Sequence, residues 1–209
     1  MIRKCLKIAC LATLVVLVPL SLLAATVGSK RNKTVDNLEA AFNGESNAHA
    51  RYLEFAKRAD LEGYSEVASL FRAAARAEAI HAANHAAAIK NTGAIAEAKL
   101  QLVEVKTTRE NLEATIKGET YERDIMYPQF LKQGRADNNR EAVRSFNYAR
   151  TAEAEHANLY TEALNNLGTK AQNSRKYYVC TVCGYTTTKV DFSKCPSCFN
   201  PKEKYEEVG

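Results

Sequence analysis

The sequence predicts an all-α four-helix bundle followed by a small C-terminal β domain built on metal-binding knuckles. Three observations predict it. The middle of the chain repeats itself after 74 or 75 residues, glutamates and histidines interrupt the apolar stripe of every predicted helix, and four cysteines near the C-terminus form two Cys-x-x-Cys pairs.

The composition allows this. Only 9 glycines and 4 prolines occur in 209 residues, with Ala, Glu and Leu common, which leans helical. A hydrophobic share of 46% is ordinary for a globular chain. The formal net charge of +5 does not indicate a nucleic-acid binder, because six of the 29 basic residues (Arg3, Lys4, Lys7, Lys30, Arg31, Lys33) precede the first acidic residue, Asp36. The rest of the chain carries 23 basic against 24 acidic residues and lacks the electrostatic footprint of nucleic-acid binding.

The basic start leads into an uncharged, mostly apolar run over residues 8–27, the pattern of a signal peptide and also long enough to span a bilayer. Residues 1–29 are expected to be a cleaved signal peptide or a retained N-terminal anchor. Either sends the rest of the chain out of the cytoplasm, to the periplasm or to an outward-facing membrane surface, with membrane contact only through that segment.

In the repeat, the stretch from Thr34 to Ser46 aligns with Thr108 to Thr120 at an offset of 74, whereas Ala77 to Ala82 aligns with Ala152 to Ala157 at 75. Two copies of a helix pair differing by one inserted residue explain this. Helices are expected near 35–61, 64–91, 108–133 and 138–167, with Thr34 and Thr107 or Thr108 as N-caps, Thr107 and Glu110 forming a capping box, and Pro128 as a kink. Gly63 and the Gly134 to Asn139 stretch separate the helices within each pair. The segment from Asn91 to Thr107 is too long for a tight turn and suits a long crossover between the pairs. The bundle is expected over 34–170, a linker over Ala171 to Arg175, and the cysteine domain over 176–209.

Read at the 3–4 spacing, the core-facing stripes contain Glu45 in the first helix, Glu78 and His81 in the second, Glu119 and Glu122 in the third, and Glu153 and His156 in the fourth. Burying five carboxylates without partners is prohibitive, since each ion costs several kcal/mol to desolvate. A lone stripe glutamate usually reaches out to water. Four helices doing this at matching heights, twice as Glu-x-x-His, point instead to cations. At i, i+3 the two side chains share a helix face. One Glu from each of two helices and a Glu-x-x-His from each of the others is the di-iron carboxylate arrangement of ferritin-like bundles. His49 and His85 each lie four residues beyond a proposed ligand and are not needed by this pattern.

Cys180, Cys183, Cys195 and Cys198 form two hairpins that together make a tetrahedral metal site. Iron and zinc both suit four thiolates, and in an exported chain disulfides are a further alternative. Cys5 and Cys10 lie in the leader, and the helical middle has no cysteine.

Gly44-Glu45-Ser46 followed by Tyr52, Glu119-x-x-Glu122 followed by Met126-Tyr127-Pro128, the two Glu-x-x-His pairs, and Cys-Gly-Tyr with Cys-Pro-x-Cys resemble the motifs of rubrerythrins over nearly everything after Lys33. The resemblance implies a ferritin-like di-iron bundle with a rubredoxin-like domain. Glu78 and Glu153 would bridge the irons, Glu45 would be terminal on one, and Glu119 with His156 on the other. The first iron would exchange Glu122 for His81 as it is reduced. Tyr52 and Tyr127 match tyrosines beside the ligands, and both also suit an aromatic core with bonded hydroxyls. The cofactors implied are two non-haem irons and one iron in the four-cysteine site, where zinc remains the rival. The activity implied is peroxidase: hydrogen peroxide reduced to water in oxidative stress defence, and re-reduction through the cysteine iron by an unknown electron donor, with that transfer running between subunits of a homodimer. Two rivals are ferritin-like iron oxidation and storage, and a zinc-ribbon structural or sensing module.

Overall fold

The structure is a computed structural model that describes residues 32–168 and 175–209. The expected leader over 1–29, with Cys5 and Cys10, and residues 171–174 of the expected linker lie outside the described residues. No described helix is long and apolar enough to cross a membrane.

Helix α1 (Lys33–Leu61) pairs with α2 (Ser65–Lys90) through a tight turn at Gly63, whose φ of 80° suits a residue without Cβ. The second pair is α3 (Thr108–Tyr121), a π-helical turn (Glu122–Met126), α4 (Tyr127–Ala136) and α5 (Arg140–Asn165). The crossover between the pairs is extended and tied to α1: Asn47 Nδ2 donates to Lys99 O at 3.0 Å, and the backbone N–H groups of Lys99 and Gln101 donate to the Asn43 and Asn47 side chains.

Thr107 caps α3 with the expected capping box. At the other copy the cap is Asn32, which accepts from the Thr34 N–H, while the Thr34 hydroxyl donates to Asp137 at 2.6 Å. Thr34 thus ties the start of α1 to the end of α4 and is not a cap.

The one-residue insertion of the second copy lies in the π turn. Glu45 and Glu119 are 74 residues apart, but Tyr52 and Tyr127, like Phe55 and Phe130, are 75 apart. The extra residue therefore enters between Glu119 and Tyr127, where the helix widens to i→i+5 bonding at Glu122–Met126. Pro128, expected to kink the helix, sits in the first turn of α4, directly after this widening.

The apolar core is cut in two by a polar layer. On one side Tyr52, Phe55, Phe71 and Tyr160 pack with ring centroids 5.1–6.3 Å apart. On the other, Tyr127, Phe130, Phe146 and His85 do the same at 5.4–6.3 Å. The members of the two groups correspond at the 75-residue offset, so the pseudo-symmetry of the repeat extends to the aromatic floors above and below the polar layer.

The C-terminal domain is a three-stranded antiparallel sheet in the order β2-β1-β3, with β1 Tyr177–Cys180, β2 Thr186–Thr187 and β3 Tyr205–Val208. It packs on α2 and α5: Tyr177 and Val179 join the apolar core, Asn84 Nδ2 donates to Val182 O at 2.9 Å, and Arg76 pairs with Glu206.

Candidate metal centres

The four bundle elements bring six of the seven stripe residues together. Glu45, Glu78, His81 and Glu153 offer ligand atoms within 4.8 Å of one another, and so do Glu78, Glu119, Glu153 and His156. All six are buried, and Glu78 and Glu153 belong to both groups. Two overlapping clusters sharing two carboxylates are what a dinuclear centre with bridging glutamates requires.

The unpartnered atoms show what the clusters are shaped to hold. Glu45 Oε2, Glu78 Oε1, Glu119 Oε2, both Glu153 oxygens and His156 Nδ1 are buried without hydrogen-bond partners. His156 Nδ1 lies 2.9 Å from Glu153 Oε2 and 3.4 Å from Glu78 Oε1, close enough to attract but not directed for bonding. An orphaned buried carboxylate oxygen costs more than the full desolvation of a neutral polar group. Lone pairs converging on a common interior space are relieved by divalent cations, and the carboxylate and imidazole donor set suits iron.

The remaining atoms of the same residues are tied down. Tyr52 Oη donates to Glu119 Oε1 at 2.6 Å, and Tyr127 Oη donates to Glu45 Oε1. Each tyrosine reaches a glutamate of the other repeat. His81 Nδ1 faces Glu78 at 2.8 Å and Glu153 at 3.1 Å, while its Nε2 lies 3.1 Å from Cys183 O. His156 Nε2 lies 3.0 Å from the Thr186 hydroxyl, which donates onward to Gly184 O. A carbonyl can only accept, so His81 carries a proton on Nε2 in either charge state and turns Nδ1 toward the cluster. Thr186 spends its one proton on Gly184, which sets His156 the same way. The short segment from Cys183 to Thr186 orients both imidazoles.

The electrostatics follow from burial. Glu45 is raised far above the carboxylate range by desolvation and then by Glu122, Glu78 and Glu153. Desolvation likewise lifts Glu119 to about 8, against the pull of the His156 ring 3.7 Å away. Burial also lifts Glu78, but the His81 and His156 charges outweigh it and hold Glu78 well below the usual range. Desolvation lowers His81, yet Glu153 and Glu78 overcome it and raise the ring to about 10. Without cations the cluster holds protons where metal charge would otherwise sit.

Glu122 stands apart. It is half-buried at the start of the π turn and belongs to neither ligand group, and its carboxyl is raised by lost hydration and by Glu119 and Glu153. His49 bonds Ala75 O at 2.7 Å. His85 is held between Tyr127 Oη at 3.1 Å and Ser145 Oγ at 2.7 Å. Sequence reasoning missed Arg51, whose guanidinium lies over the Tyr52 ring at 5.4 Å, and Thr186. A cation close to the carboxylate stripe is the only signal that could have found Arg51.

The four cysteines also converge. Cys180 and Cys198 sulfurs are 3.7 Å apart, Cys183 and Cys195 sulfurs 3.6 Å, and all four are free thiols within one metal-sized cluster. Edges of this length suit a tetrahedron of thiolates around one ion and are too long for disulfides. Tyr205 Oη and Asn200 Nδ2 donate to the Cys195 and Cys198 sulfurs at 3.1 and 3.4 Å.

Comparison with known proteins agrees with the geometry. The rubrerythrin family model matches residues 36–164. Nigerythrin of Nitratidesulfovibrio vulgaris is 37% identical over 173 residues, covering 82% of this chain and 85% of its own. Rubrerythrin-2 of Clostridium acetobutylicum is 36% identical over 182 residues, covering 85% and 97%. A solved structure of fully reduced, all-ferrous nigerythrin superposes with a TM-score of 0.77 at 35% identity, covering 88% of this chain and 91% of that one. The bacterioferritin of Desulfovibrio desulfuricans, at 22% identity and a TM-score of 0.63, shares the bundle fold. The chain therefore belongs to the rubrerythrin family, a ferritin-like oxidoreductase with a di-iron carboxylate site and a rubredoxin-like four-cysteine iron site.

Proposed function

We propose that this chain reduces hydrogen peroxide to water in oxidative stress defence, at the iron pair of the bundle, with electrons returned through the four-cysteine iron. The observation that carries the reading is the His81 ring, whose Nδ1 faces the bundle cluster while its Nε2 donates to the carbonyl of Cys183. One imidazole thus joins the two metal sites. A storage protein has no need of that link.

The overall change consumes one peroxide, two protons and two electrons and forms two waters. When bound, two ferrous ions supply one electron each and a Lewis-acidic grip on the oxygens. In this reading Glu78 and Glu153, shared by both ligand groups, would hold both irons, Glu45 would hold one, and Glu119 with His156 the other. Tyr52 and Tyr127 fix the terminal carboxylates from outside and, with hydroxyls held protonated by burial, keep a donor beside each. His81 would serve the first iron in the reduced state, and Glu122, at the start of the widened turn, would replace it in the oxidised state, where a carboxylate's charge would offset the extra positive charge. The aromatic floors on either side exclude bulk water.

The same reading places residues 1–29 as an export signal or anchor, so that the bundle (34–170) and cysteine domain (176–209) work outside the cytoplasm as a homodimer. The deciding experiment is stopped-flow oxidation of anaerobic ferrous protein. Oxidation by hydrogen peroxide is expected to be faster than by dioxygen. Equal or reversed rates would favour iron oxidation and storage instead.

A further inference from the structure

We propose that the groove between α5 and the cysteine domain is the docking site for an acidic one-electron carrier protein, which delivers electrons at Cys198. This rests on the peroxidase reading for the use of those electrons, but the surface is argued from its own chemistry.

The four-cysteine cluster has two unlike sides. Cys183 is buried, and its carbonyl meets His81. Cys198 is the only one of the four that is not buried. Its outer side lines a groove whose charged members are Arg135, Arg140 and Arg144, with no acidic residue among the lining. Arg144 is engaged by Glu141, whereas Arg135 and Arg140 make no ion pair among the described residues. In a body whose basic and acidic residues nearly balance after Lys33, this is a local excess of positive charge.

Phe199 adds an apolar anchor. It is 73% exposed, yet it is held in place by a left-handed φ of 59° and a bond from its N–H to Cys195 O at 3.0 Å. Folding gains little from an aromatic ring fixed outward beside a metal-binding cysteine. A partner's surface gains much, because rigid aromatics flanked by arginines are the usual energetic centres of protein interfaces. Unpaired arginines steer a negatively charged partner and exclude positively charged ones. Cys198 then puts the metal's exposed side at the contact, and Cys183 faces the bundle. Each docking passes one electron. Two dockings and two protons from solvent account for one peroxide reduced to two waters.

The test uses the full-length, iron-loaded protein with its cysteine centre oxidised, mixed anaerobically with reduced plant-type ferredoxin as a strongly acidic carrier. Bleaching of the cysteine-centre absorption gives the rate. Raising salt from about 20 to about 300 mM is expected to slow wild type at least about tenfold. Arg135→Glu with Arg140→Glu is expected to slow it by a similar factor at low salt, while the methyl viologen radical cation reduces the variant at least as fast as wild type. Should the variant lose its cysteine-centre spectrum, the wild-type salt series decides alone. A salt-independent wild-type rate, or a folded variant reduced by ferredoxin as fast as wild type, overturns the proposal. Salt-dependent reduction by ferredoxin, in wild type whose ferrous pair peroxide does not oxidise, would sink the peroxidase reading and leave the docking site standing.

Discussion

The Tyr52 hydroxyl crosses the bundle to donate to Glu119 Oε1 at 2.6 Å, and Tyr127 returns the bond from the second repeat to Glu45. Each of these carboxylates thus keeps one oxygen occupied and leaves the other, Glu119 Oε2 or Glu45 Oε2, without a partner in the interior. Replacing Tyr52 by Phe removes the donor and leaves a buried carboxylate oxygen unmet. The expected cost is about 1–3 kcal/mol of stability. Ferrous titration followed by thermal melting checks this, with Tyr127→Phe expected to do the same from the other side.

Thr186 holds His156 from the cysteine domain, at 3.0 Å from Nε2. Thr186→Val keeps the shape and removes the acceptor. Iron affinity is expected to fall about 10- to 100-fold, and Thr186→Ser to restore most of it. Isothermal titration with ferrous ion measures both, and an unchanged Val variant would remove Thr186 from the account.

Gly184 lies in the left-handed region at φ 79°, and a Cβ there would collide with the His81 ring. Gly184→Ala is expected to lose about 1–2 kcal/mol to backbone strain alone and more to the collision. The cysteine knuckle and α2 must separate or His81 must turn. Melting temperature and the rate of electron passage from the cysteine centre to the bundle pair are both expected to drop.

Metal loading is expected to expel protons. At pH 7 the metal-free site holds Glu119, with its pKa of about 8, in the neutral form and His81, at about 10, charged, with Glu45 and His156 also raised. Cations require the deprotonated forms, so binding a ferrous pair should release about four protons and tighten as pH rises through these values. Calorimetry in two buffers of different ionisation enthalpy counts them. Release below about one proton per pair would contradict the described electrostatics.

Much of this was legible in the residues because a metal site violates the rule that shapes the rest of a helix. Glu45, Glu78, His81, Glu119, Glu153 and His156 stood where apolar side chains belonged, and the structure brings these six together. The repeat showed that one residue had been inserted, but both α-helix and π turn accept the same side chains, so only the backbone places it at Glu122–Met126. Glu122, which opens that turn, is the one of the seven outside the ligand groups. Asn32 takes the cap expected of Thr34, which lies inside the first turn and donates its hydroxyl to Asp137, a contact 103 residues away. The docking of the cysteine domain on His81 was invisible for a simpler reason. The acceptor is a backbone carbonyl, which no residue type announces.

The central claim is that the buried carboxylates and imidazoles hold two irons while the cysteines hold a third. Metal analysis with EPR on protein matured in its own compartment tests it most directly. Three irons per chain are expected, two of them an oxidised pair silent through spin coupling and one an isolated high-spin ferric centre lost in Cys198→Ser. Zinc in the cysteine site, or a bundle that takes up one ion and no second, would contradict it.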